Sequence, residues 1–122
     1  MSLTKSQLKE IASTAWKHCY HQESIQDASY FMKIKGDQEK IYKILCDLEE
    51  EINSYNRNCS YFCSVQKVSG GFVFSIGMSE DMNIAYTDDN SDSEVVAEGI
   101  EIDSKQDEET TTTILEIAEK KH

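Results

Sequence analysis

The chain has 122 residues, 39% of them hydrophobic, no proline, and a formal net charge of −11. That length suffices for one domain, residues 1–122, that builds its own core without metal or disulfide staples. The acidic balance and a solitary arginine, Arg57, speak against direct nucleic-acid binding, which needs clustered Lys and Arg, and no window approaches the ~20 apolar residues that cross a bilayer.

Thr4 is placed as an N-cap, with Gln7 as its capping-box partner and Leu3 able to pack onto Leu8. A helix is expected from Lys5 to about His21, with Leu8, Ile11, Ala12, Ala15, Trp16 and Cys19 as its apolar stripe. Tyr30 to Lys35 alternates, with Tyr30, Met32 and Ile34 on one side, and reads as a short strand. A second helix opens after Gly36 with Asp37 as N-cap and runs through Ile41, Ile44, Leu45, Leu48, Ile52 and Tyr55.

Beyond Asn58 the period changes to two. Tyr61, Cys63 and Val65 share one face, Ser69-Gly70-Gly71 turns the chain, and Phe72, Phe74 and Ile76 share the next face, which is a hairpin pattern. Met82, Ile84 and Tyr86 alternate again, as do Ile100 and Ile102 against Glu101 and Asp103. The β-branched run Thr110 to Ile114 leads into an expected last strand ending near Ala118. The fold class expected is α+β, with two amphipathic helices packed on one face of a mainly antiparallel β-meander of about five strands.

The charge is segregated. Residues 79–109 hold twelve of the 23 acids and one of the 12 basic residues, so the whole net charge lies there. If the intervening strand is regular, the acidic connections Thr87 to Glu94 and Asp103 to Glu109 lie at opposite ends of the sheet and the acids form a stripe along its outer strands.

Within that stretch Asp88, Asn90 and Asp92 match the opening of a calcium loop, but Ser93 stands where glycine is needed and Gly99 where a bidentate Glu is needed. His18, His21, Cys19, Cys59 and Cys63 could supply zinc ligands. Cys59 and Cys63, four residues apart on one strand, are too distant to share an ion. No nucleophile elbow, phosphate-cradling glycine loop or oriented acid–base pair is legible, so neither catalysis nor a cofactor is expected.

Two non-enzymatic readings remain. In the first, Asp88, Asp89, Asp92, Glu94, Glu98, Glu101 and Asp103 form an acidic surface for a basic protein partner, in the limit imitating nucleic-acid charge against a nucleic-acid-binding protein. Alternate strand residues stand about 6.6 Å apart, a spacing comparable to that of backbone phosphates. Small acidic inhibitors of phage origin share this general character, though no motif is shared. In the second, the chain assembles with itself through Tyr42 and Cys46 or through a strand edge at Ile114, Leu115, Ile117 and Ala118, and the acids serve solubility. With no apolar leader at its start, a cytoplasmic host-cell location with reduced cysteines is expected for either.

Overall fold

The computed structural model describes residues 2–20, 29–56, 62–77, 84, 94–103 and 105–120. A two-residue strand β1 (Leu3–Thr4) enters helix α1 (Lys5–Tyr20), followed by β2 (Ser29–Lys35), α2 (Gln38–Tyr55), β3 (Cys63–Val68), β4 (Gly71–Ile76), β5 (Val95–Ala97), β6 (Gly99–Ile102) and α3 (Glu108–Glu119). The fold is α+β, with all pairings antiparallel.

The helix starts follow from local chemistry. At α1 the capping box closes in both directions: Gln7 N–H donates to Thr4 Oγ1 at 3.1 Å, and Thr4 N–H donates to Gln7 Oε1 at 2.8 Å. The remaining Gln7 amide protons reach the carbonyls of Ile117 at 3.2 Å and Lys120 at 2.7 Å, so one side chain caps the start of α1 and the end of α3. Asp37 caps α2 by accepting from Glu39 and Lys40 N–H, at 3.1 and 3.2 Å.

The main sheet has four strands in the order β3-β4-β2-β6, and β1 pairs with β5 in a separate two-stranded ribbon. The expected meander therefore holds only for the hairpin β3-β4. The earlier strand β2 stands in the middle, flanked by β4 on one side and β6 on the other. Register places Tyr30 opposite Phe74, Met32 opposite Phe72 and Ile102, and Ile34 opposite Ile100. These side chains, with Cys63 and Val65, form the inner face.

Both α1 and α2 cover that face. Trp16 meets Phe74 edge-on at 5.4 Å between ring centroids and donates its indole N–H to the Ser64 carbonyl at 3.1 Å. Tyr42 of α2 stacks on Phe72 at 6.3 Å. Trp16, Tyr30, Phe72 and Phe74 are fully buried, and Leu8, Ile11, Leu45 and Leu48 fill the space between helices and sheet.

Three sequence expectations change. Thr110 to Ala118 is helix, not strand, and α3 packs along α1 with Ile114 and Ala118 buried, so the proposed strand edge at Ile114, Leu115, Ile117 and Ala118 does not exist. Asp107 caps this helix by accepting from Thr110 N–H at 3.0 Å, and Glu108 and Glu109 occupy its positive first turn. Of the expected strand through Met82, Ile84 and Tyr86, Ile84 is buried and not in a strand, and the other two lie outside the described residues. The strand expected to run up to Asp103 is broken at Glu98 into β5 and β6, which belong to different sheets.

Candidate functional site

Of the acids in residues 79–109, Glu98, Glu101 and Asp103 lie along or beside β6, an outer strand of the main sheet. Glu94 immediately precedes β5. Its carbonyl accepts from Lys5 N–H at 2.8 Å, which fixes it beside the start of α1, and its carboxylate accepts from Lys40 Nζ at 2.7 Å. That bond holds the Lys40 ammonium above the ordinary lysine range.

Glu98 occupies the break between β5 and β6. Its N–H donates to the Lys35 carbonyl at 2.7 Å while Gly99 stands opposite Lys35 in the register. Two consecutive residues thus face one partner, as in a β-bulge, and the chain bends there. Glu101 lies within β6, directly opposite Lys33 on the outer face of the sheet, where opposite charges on paired strands attract. Asp103 follows β6 and turns the chain: its Oδ1 accepts from Lys105 N–H at 2.9 Å, and its carbonyl accepts from Gln106 N–H at 3.2 Å. Glu94, Glu98, Glu101 and Asp103 are all exposed. Asp88, Asp89 and Asp92 lie outside the described residues, and with them the calcium-like loop and one of the two acidic connections.

Gln106 is a residue of this edge that the sequence did not bring out. Its side-chain amide pairs with the Phe31 backbone in both directions, accepting from Phe31 N–H at 2.7 Å and donating to the Phe31 carbonyl at 2.6 Å. It takes the place of a further strand residue where β6 has ended, and it ties the acidic turn at Asp103 to the centre of the sheet. The start of α3 is acidic as well. Asp107 is held below the ordinary aspartate range, first by the hydrogen bond from Thr110 and further by the neighbouring His18.

His18 is mostly buried, and its Nδ1 lies 3.2 Å from Thr110 Oγ1 and 3.4 Å from Asp107 Oδ2. Both contacts use the same ring nitrogen. These contacts tie α1 to the cap of α3.

The zinc-like residues separate. Cys19 donates its thiol to the Phe74 carbonyl at 3.4 Å inside the core, and burial pushes that thiol up to about 12. Burial likewise raises the Cys63 thiol. His21 and Cys59 lie outside the described residues, among which no three His, Cys, Asp or Glu side chains gather as a metal-ligand group. Cys46 is half-buried on α2 and packs against the core.

No helix among the described residues is long and apolar enough to cross a membrane. No protein-family model matches the chain, and neither a curated protein nor a solved structure shows significant similarity to it.

Proposed function

We propose that this protein is a non-enzymatic binding module of the host-cell cytoplasm that engages a basic surface of a partner protein through its acidic edge. The observation that supports this reading is the exposure of four carboxylates in one stretch of chain: Glu98, Glu101 and Asp103 along or beside the outer strand β6, and Glu94 just ahead of β5. Asp88, Asp89 and Asp92 extend the same run in sequence and complete the proposed contact set. A field of one sign along a single edge accelerates encounter with a positively charged partner and makes the association salt-sensitive. In its limiting form the edge stands in for nucleic-acid phosphates on a nucleic-acid-binding protein.

The test is a tagged pull-down from host lysate at low and high salt, run beside a variant with the seven acids changed to Asn or Gln. A partner lost in both high salt and the variant supports the reading; a partner kept by the variant overturns it. Light scattering of the purified chain addresses the assembly alternative, for which a concentration-independent oligomer is the expected result.

A further inference from the structure

We propose that the outer edge of β6 is a strand-addition site for an extended segment of a partner protein in which apolar and basic residues alternate. The inference rests on the acidic-edge reading and adds to it a docking mode and a partner chemistry.

Backbone direction carries the argument. The Met32 carbonyl points towards β4, since it lies 2.6 Å from where a Cβ on Gly71 would stand, and the Phe31 N–H and carbonyl point the opposite way, to Gln106. Successive residues of a strand alternate sides, so Lys33 and Lys35 also aim at β6, where Glu101 and Gly99 receive them. The backbone groups of Ile100 and Ile102 therefore point outward, and among the described residues they meet no hydrogen-bond partner.

The opposite edge of the sheet is treated differently. On β3, the Asn53 side chain of α2 accepts from Cys63 N–H at 2.8 Å and donates to the Cys63 carbonyl at 3.0 Å. One turn earlier on α2, the Glu49 carboxylate accepts from Val65 N–H at 2.8 Å. Side chains of α2 thus take up the backbone groups of Cys63 and the Val65 N–H on that edge, and the side chain of Gln106 takes up those of Phe31 past the end of β6. Among the described residues Ile100 and Ile102 carry no such cover, and an uncovered edge is a template for another strand.

The side chains select the occupant. Ile100 and Ile102 are half-buried at the rim of the core, so an added residue opposite each would cover them if apolar. The residues between would stand on the outer face beside Glu101, flanked by Glu98 and Asp103, and there a cation is favoured. A second copy of this chain is disfavoured, because pairing β6 with itself about a two-fold axis would bring Glu101 and its acidic neighbours against their own copies.

The probe is a capped octapeptide of alternating Val and Lys, compared with the same peptide N-methylated at every Val and titrated into the full chain. In strand addition the Val amides are those that bond to Ile100 and Ile102, and methylation removes them without changing charge. The expected result is binding that falls tenfold or more on methylation, with amide exchange at Ile100 and Ile102 slowed only by the unmethylated peptide. Ile102→Pro, which removes an outward N–H and no bond to β2, is expected to weaken the unmethylated peptide alike.

Equal, salt-sensitive binding of both peptides would overturn strand addition and leave the acidic-edge reading standing. Binding of neither would also overturn it, the lysate experiment deciding the broader reading on its own. Protection of Ile100 and Ile102 that rises with protein concentration in the absence of peptide would replace the basic partner by a second copy.

Discussion

Gly71 and Ser13 show how single positions in this fold are constrained from opposite directions. A Cβ at Gly71 would stand 2.6 Å from the Met32 carbonyl and 2.9 Å from the Phe31 ring, so the aromatic side chain lies across a backbone that has no side chain of its own. The carbonyl belongs to a central strand and cannot retreat, so Gly71→Ala is expected to destabilise by about 2 kcal/mol, read as a lower denaturant midpoint with an unchanged slope. Ser13 presents the reverse case. It is buried on α1, and its hydroxyl has no hydrogen-bond partner among the described residues. Ser13→Ala removes an unsatisfied polar atom and adds helix propensity, so it should raise stability by about 1 kcal/mol. A loss of stability in that variant would mean that the hydroxyl has a partner after all.

Among the elements, α3 is where local propensity and tertiary context disagree most. Its four threonines favour a strand, yet Asp107 caps the segment, Glu108 and Glu109 sit at its positive end, and Ile114 and Ala118 meet α1 at helical spacing. The hydroxyls of Thr112 and Thr113 bond back to the carbonyls of Glu108 and Glu109, at 2.8 and 3.0 Å, which lets β-branched residues sit within a helix. Asp107-Glu108-Glu109 is a helix start signal in the sequence, but the β-branched run that follows it favours a strand locally. By contrast, α1, α2 and the β3-β4 hairpin were legible because cap, period and turn residues agree at each. The position of β2 between β4 and β6 was not, since strand order depends on contacts distant in sequence. The same holds for the edge: its acids could be counted from the sequence, but the pairing of Gln106 with Phe31 joins residues 75 positions apart.

The cap of α3 also gives this element a pH signature. Asp107 has a lowered pKa in the folded chain, so its stabilising effect is present above the unfolded aspartate value and is lost as pH falls through the folded one. At neutral pH Asp107→Ala should cost about 1 kcal/mol, the usual value of an N-cap. In acid titrations the gap between wild type and this variant should close below the ordinary aspartate range, whereas a gap independent of pH would show that the carboxylate's charge contributes nothing.

For the molecule as a whole, the question is whether the acidic edge repels itself or is neutralised from within. Among the described residues, attractions on it include the Lys40–Glu94 ion pair at 2.7 Å and the placement of Lys33 opposite Glu101. Both lie at the exposed surface, where such pairs contribute little, and residues 79–109 contain one base, Lys105, against twelve acids. Repulsion should therefore prevail. Raising sodium chloride from about 10 mM to about 0.3 M shortens the Debye length from roughly 30 Å to below 10 Å, and the melting temperature should rise by a few degrees. Chloride is the anion to use, since sulfate would stabilise by exclusion from the surface whatever the charge pattern. The double variant Glu98→Gln/Asp103→Asn, which keeps the hydrogen-bond acceptor at residue 103, should start from a higher melting temperature at low salt and respond less. Were salt instead to lower the melting temperature of the wild type, Lys33 and Lys40 would already be satisfying the acids, and an edge balanced in that way would have little field left with which to draw a basic partner.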